Sequence, residues 1–134
     1  MTLDDVKAIA YHFRSWAEKV GSRSDCSCMC ARASFEIFDA LRLQGETVEF
    51  CSNACHCFVL WYNVYGTPYL IDVTASQFSC DYPKVIVEKY HELPFTGNWW
   101  AIRKTTNKVD DIAKMLKKWP AEQKPAQIRH LEAA

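Results

Sequence analysis

Hydrophobic periodicity switches from helical to alternating at residue 46 of this chain, and that switch sets its fold class. Through residue 44 apolar residues recur at helical spacing, and from Glu46 they alternate. Thr2 and Asp5 have the spacing of a capping box, and Val6, Ile9, Ala10, Phe13, Trp16, Ala17 and Val20 predict an amphipathic helix over 3–20. Residues 21–25 break it, with Gly21 suited to a left-handed stop and Ser24 or Asp25 suited to cap the next element. A second helix is expected over 28–44, striped by Ala33, Ile37, Phe38, Ala40, Leu41 and Leu43.

The period-two half predicts strands over 47–50, 56–65, 69–73 and 85–90, with a last short one over 99–102. Both alternating sets of 56–65 are apolar, as expected of a strand covered on both faces. Residues 52–53 and 66–68 are turns, and 69–73 is the hairpin partner of 56–65. A short helix over 110–119 stops at Pro120. Helices followed by hairpin-linked strands make an α+β domain over 1–120, a helix packed on a small antiparallel sheet. Residues 121–134 read as a loosely held polar tail.

Charge narrows the partners. Sixteen Lys and Arg balance sixteen Asp and Glu, which argues against a dedicated nucleic-acid binder. The one basic stretch, Lys104, Lys108, Lys114, Lys117, Lys118 and Lys124, is interleaved with Asp110, Asp111 and Glu122 and reads as a solvated helix face. No apolar run approaches the ~20 residues of a membrane helix, and the first residues lack a signal-peptide order. A cytoplasmic protein without a membrane partner is expected. Seven cysteines are many for a reducing compartment, where clustered thiols more often mean catalysis or metal than disulfides.

Three residue types stand in a chemically meaningful order: Cys30 at the start of a helix, His56 opening a buried strand, and Asp72 closing the next. A thiol attacks only as thiolate, and a helix N-terminus with an adjacent imidazolium lowers its pKa. A carboxylate on the far ring nitrogen fixes the imidazole tautomer and stabilises its charged form. Cys26, Cys28 and Cys30 alternate, so the nucleophile is not unique by position. Cys30 lies on the periodic helix, whereas Asp25 beside Cys26 would raise that thiol's pKa. The series also sets a geometric condition. A two-residue turn at 66–67 would place Tyr65 opposite Pro68 and Asp72 opposite Trp61, on the wrong face for His56. The triad therefore requires a longer loop or a bulge in this hairpin.

Other uses of these residues compete. Cys26, Cys28, Cys55 and Cys57 are soft ligands that could hold zinc, although Cys-x-Cys-x-Cys is a poor match to paired zinc knuckles. Cys28 or Cys57 could resolve an oxidised Cys30. Cys51, Cys55, Cys57 and Cys80 read most simply as small buried hydrophobes, and His12, His91 and His130 as surface or core histidines. Trp99 and Trp100 read as core, and Asp72 alone could simply cap a turn. No Gly-rich phosphate loop is present, and no cofactor is expected.

The run Cys30-Ala31-Arg32-Ala33-Ser34 with Leu41 and Gly45, then His56-Cys57-Phe58-Val59, then Ile71-Asp72-Val73-Thr74-Ala75-Ser76-Gln77-Phe78, resembles the transglutaminase-like branch of the papain-like cysteine hydrolase superfamily. The resemblance covers about residues 25–80. It implies a nucleophile helix on an antiparallel sheet, with Cys30 as nucleophile, His56 as general base and acid, and Asp72 as orienting carboxylate. It implies that the oxyanion is held by the Cys30 N–H and one further donor. Ser24 stands where papain itself carries a glutamine, which leaves Gln77 and Asn53 as second-donor candidates and Cys28 as a substrate-side one. The implied activity is that of a thiol-dependent amide hydrolase, a cysteine peptidase or protein deamidase, on a protein or peptide substrate. Acyl transfer by the same triad, or a non-catalytic zinc- or partner-binding module, is the alternative. With the chain's size, the resemblance suits an effector in the cytoplasm or delivered into a host cytoplasm. Oligomeric state is not legible.

Overall fold

The computed structural model describes residues 1–133. Among them are four α-helices and one five-stranded, wholly antiparallel sheet, an α+β architecture. Helix α1 runs Leu3–Gly21, its first turn closed by the reciprocal Thr2 and Asp5 capping bonds of 3.2 and 2.9 Å. Its buried stripe is Val6, Ala10, Arg14 and Ala17. The left-handed residue ending α1 is Ser22 (φ 56°) rather than the expected Gly21. Gly21 is needed for space instead, because a Cβ there would lie 2.8 Å from Met29 Cγ. Helix α2 spans Cys30–Leu43. It starts two residues later than the sequence suggests, because Cys26 and Cys28 take left-handed φ values of 58° and 65° that no right-handed helix accommodates.

Strands β1 (Thr47–Ser52), β2 (Cys57–Tyr62), β3 (Pro68–Asp72), β4 (Ile86–Lys89) and β5 (Lys104–Thr106) order as β4-β3-β2-β1-β5. Central β2 is covered on both faces: Cys57, Val59 and Trp61 pack with α1 and α2, and Phe58 and Leu60 pack with Leu70, Ile86 and Trp100. Full burial of Phe58, Leu70 and Ile86 contributes about 1.5–3 kcal/mol each.

The expected strand over 99–102 is absent. The Asn53 amide donates to the carbonyls of Trp99 (3.0 Å) and Ala101 (2.8 Å), which withdraws them from a ladder, and Trp100 turns into the core. Pairing with β1 begins at Arg103, whose N–H donates to Ser52 O, and continues as β5. Helix α3 spans Val109–Met115, shorter than predicted. The expected tail instead carries α4 (Ala126–Ala133), whose Ile128 is fully buried in the helix-side core. One apolar residue in that polar stretch docks the segment and leaves almost no periodic signal. No helix among the described residues is long and apolar enough to cross a membrane.

Candidate active site

The hairpin geometry that the triad requires is present. Tyr62 pairs with Pro68 and Val59 with Ile71, so residues 63–67 form a five-residue loop. Asn63 Oδ1 organises it by accepting from the N–H groups of Tyr65 (3.0 Å) and Thr67 (2.9 Å), and Gly66 supplies the left-handed turn residue at φ 79°. Continued by one step, this register sets Asp72 opposite Phe58, on the same side of β2 as His56.

His56 itself lies just ahead of β2. Its backbone N–H, like that of Cys55, donates to Asn53 Oδ1 at 3.0 Å. The imidazole is fully buried, and its Nε2 meets Asp72 Oδ2 at 2.6 Å. Asp72 is 2% exposed and accepts three further hydrogen bonds: Trp100 Nε1 on Oδ2 (2.8 Å), and the Thr74 backbone N–H (2.8 Å) and hydroxyl (3.3 Å) on Oδ1. Burial alone would raise its pKa, yet the charge and hydrogen bond of His56, with the Trp100 and Thr74 donors, hold the carboxyl below its usual range. Burial pulls His56 the other way, toward neutrality. The Asp72 charge and hydrogen bond overcome that and push the imidazole up to about 10, with a smaller contribution from Cys30.

The remaining ring nitrogen, Nδ1, is buried and has no well-directed hydrogen-bond partner. Nε2 being committed to Asp72, Nδ1 is the nitrogen left for Cys30, whose thiol is near enough for its charge and His56's to shift each other. Cys30 opens α2, a helix with no side-chain N-cap and no acidic residue in its first turn, so no carboxylate competes for the positive end of the helix dipole. Hydrogen bonding from the Cys57 thiol is the largest effect on Cys30. With the His56 hydrogen bond and charge it outweighs burial and lowers the thiol to about 5. Cys57 is pushed well above the ordinary range, by burial first and then by Cys30. Ser34, one turn into α2, clamps this contact by donating to Cys57 O at 3.1 Å. Among the alternating thiols, burial raises Cys26, and Cys28 lies 3.5 Å from Arg23 Nη1 at the surface of the preceding loop.

The centre is closed. Cys30 is 4% exposed, the Phe78 ring meets His56 edge-on at 4.8 Å, and Trp99 stacks flat on Phe78 at 3.8 Å. Of the second-donor candidates, Asn53 drops out, since both its amide donor bonds go to Trp99 O and Ala101 O and its oxygen holds the turn before His56. Gln77 stays, because its Nε2 is buried without a partner. The zinc alternative fails on placement: Cys55 is exposed on the β1–β2 turn, Cys26 and Cys57 are buried, and no group of three ligating residues among those described could hold a metal ion.

Sequence reasoning missed Arg14. Arg14 is 4% exposed, and its guanidinium reaches Val73 O (2.9 Å), Ser76 Oγ (2.8 Å), Ser24 O (2.6 Å) and Glu18 Oε1 (2.8 Å). One cation thus ties the loop leading to Cys30 to the segment after Asp72. The signal was a charge on the apolar stripe, four after Ala10 and three before Ala17. Trp100, expected as core, is core and also a donor to Asp72. The chain matches no protein-family model, no curated protein and no solved structure.

Proposed function

We propose that this chain is a thiol-dependent amide hydrolase of papain-like, transglutaminase-like type, acting on a protein or peptide through Cys30, His56 and Asp72. The observation that carries the reading is the buried relay itself: Asp72 holds His56 Nε2 at 2.6 Å, and the Cys30 thiol at the head of α2 is lowered to about 5. Few structural needs explain a carboxylate with four hydrogen bonds, a buried imidazole and a buried thiol gathered in a closed core.

In the reaction, Cys30 Sγ attacks the amide carbonyl carbon and the carbonyl oxygen gains the charge. The Cys30 N–H at the helix terminus, with Gln77 Nε2, receives that oxyanion. His56 delivers its proton to the departing amine, the C–N bond breaks, and a thioester remains on Cys30. Neutral His56 then takes a proton from water, hydroxide attacks the thioester carbonyl, and Sγ leaves as thiolate. Water as the resolving group makes the reaction a hydrolysis; an amine in its place would make it an acyl transfer. Seven free thiols fit a reducing cytoplasm, the chain's own or a host's.

Iodoacetamide labelling of each cysteine against pH, read by peptide mapping, tests the proposal. Cys30 should label fastest and stay reactive below pH 7, where it holds roughly a hundredfold more thiolate than an unshifted thiol. His56→Ala should move its profile toward that of an ordinary cysteine. A Cys30 that labels like its neighbours at pH 6 refutes the reading.

A further inference from the structure

Of the interleaved basic stretch near the C-terminus, Lys104, Lys108, Lys114, Lys117 and Lys118 are solvent-exposed as expected, and Lys124 is buried. A concave cavity of about 610 Å³ is walled on one side by the turn 52–55 and by Arg103 and Lys104 of the β5 edge, and on the other by Lys114, Lys117 and Lys118. Two segments ten or more positions apart in the chain thus bring five cations to one hollow. None of the five takes part in an ion pair among the described residues. Asp111 and Glu122 do not line it, and Asp111 is bonded to Thr106 Oγ1; Asp110 lies outside it, beside Lys114 and Lys117 around an adjoining hollow. Met115 and Trp119 add apolar surface between the lysines.

Like charges gathered without counter-ions repel one another, so a site that collects them is stabilised by an anion. The volume lies within the about 300–1,000 Å³ of ordinary ligand sites. In a chain of zero net charge the local excess is a property of this hollow and not of the surface as a whole. Its location ties it to the candidate centre. The turn that forms its wall is the one that carries His56, and Asn53 in that turn holds Trp99 O, the residue stacked over Phe78 above the imidazole. A chain lying in the cavity therefore borders the turn that leads directly into His56.

We propose that this cavity binds an acidic segment of the protein substrate, carboxylates on the lysines and Arg103 and an apolar side chain on Trp119, and so selects substrates by a site beside the triad. The inference rests on the hydrolase reading for the identity of the ligand, but binding needs no chemistry and is measured separately. A fluorescein-labelled (Glu-Leu)4 peptide is titrated by anisotropy into the wild-type chain, into Cys30→Ser, and into Lys117→Glu/Lys118→Glu and Arg103→Glu, which alter opposite walls. Thermal melts confirm that each variant is folded. Expected is equal binding by wild type and Cys30→Ser, loss of at least tenfold in affinity in both charge-reversed proteins, and weakening between 50 and 200 mM salt. The (Lys-Leu)4 peptide should not bind. Equal affinity in all four proteins overturns the proposal. So does a single-stranded oligonucleotide of equal charge binding more tightly than the peptide, an outcome that assigns the cavity to nucleic acid. Failure of the Cys30 labelling test with intact peptide binding removes the hydrolase and leaves the acidic-peptide site.

Discussion

Asp72→Asn is the most informative single change. Oδ2 accepts from both His56 Nε2 and Trp100 Nε1, and Oδ1 accepts from the Thr74 backbone N–H and hydroxyl. An asparagine has one acceptor atom where aspartate has two. With its NH2 in the Oδ2 position it confronts the Trp100 N–H, and His56 can pair with it only by moving its proton to Nδ1, the nitrogen left for Cys30. With its NH2 in the Oδ1 position it confronts the Thr74 N–H. One buried donor is therefore stranded in either orientation, and the imidazolium loses its counter-charge. Breaking one side of a buried charged pair costs about 3–5 kcal/mol. At about 2.1 cal/mol/K of unfolding entropy per residue, a 134-residue chain has roughly 0.28 kcal/mol/K, so Tm should fall by about 10–18 °C. Scanning calorimetry and Cys30 alkylation at pH 6 are read on the same preparation. A Tm within 3 °C of wild type together with unchanged Cys30 reactivity would refute the assignment of Asp72 as the charge that sustains His56.

The pH dependence of stability derives from the same groups. His56 is raised from 6.5 to about 10, so its contribution is complete below pH 6.5 and is lost as pH rises toward 10. Cys30 is lowered from 9.0 to about 5, so its contribution is complete above pH 9.0 and is lost as pH falls toward 5. The two slopes cancel between about 6.5 and 9.0, and a Tm-against-pH series should show a plateau there that Cys30→Ala turns into a decline. Arg14→Met leaves Ser24 O, Val73 O and Ser76 Oγ without their donor and should cost about 3 kcal/mol or more in urea unfolding. Arg14→Lys keeps the charge without the fork, so its Cys30 labelling profile, measured well below the melt, should remain displaced from wild type. Trp100→Phe removes one donor to a carboxylate and should cost about 1.5–3 kcal/mol by the same denaturation assay. Phe78→Ala takes the edge-on ring from His56 and the stacking partner from Trp99, and should accelerate Cys30 alkylation by bulky maleimides more than by iodoacetamide.

Local patterns alone determined a good part of this protein. The Thr2–Asp5 capping box, the stripe of α1, the apolar run that becomes β2 and the turn residues Asn53 and Gly66 act within a few residues of themselves, so the sequence displays them directly. The order of Cys30, His56 and Asp72 is visible for the same reason, and strand parity alone sets the condition that their hairpin must meet. The rest depends on pairings that no window of sequence contains. Trp99 and Trp100 have strand-like composition, but Asn53, 46 residues before Trp99, takes the carbonyl that a ladder would need, and the strand starts at Lys104 instead. Ile128 is one apolar residue in a polar segment until α4 docks it. Arg14 looks like a surface charge until its fork finds backbone oxygens 10 and 59 residues away. The five cations of the basic hollow are spread along the chain among acids and come to face one hollow only when α3 packs beside β5. Short-range sterics and hydrogen bonding are written residue by residue, whereas the partners of a buried charge are chosen by which distant backbone the packed core brings within three ångströms.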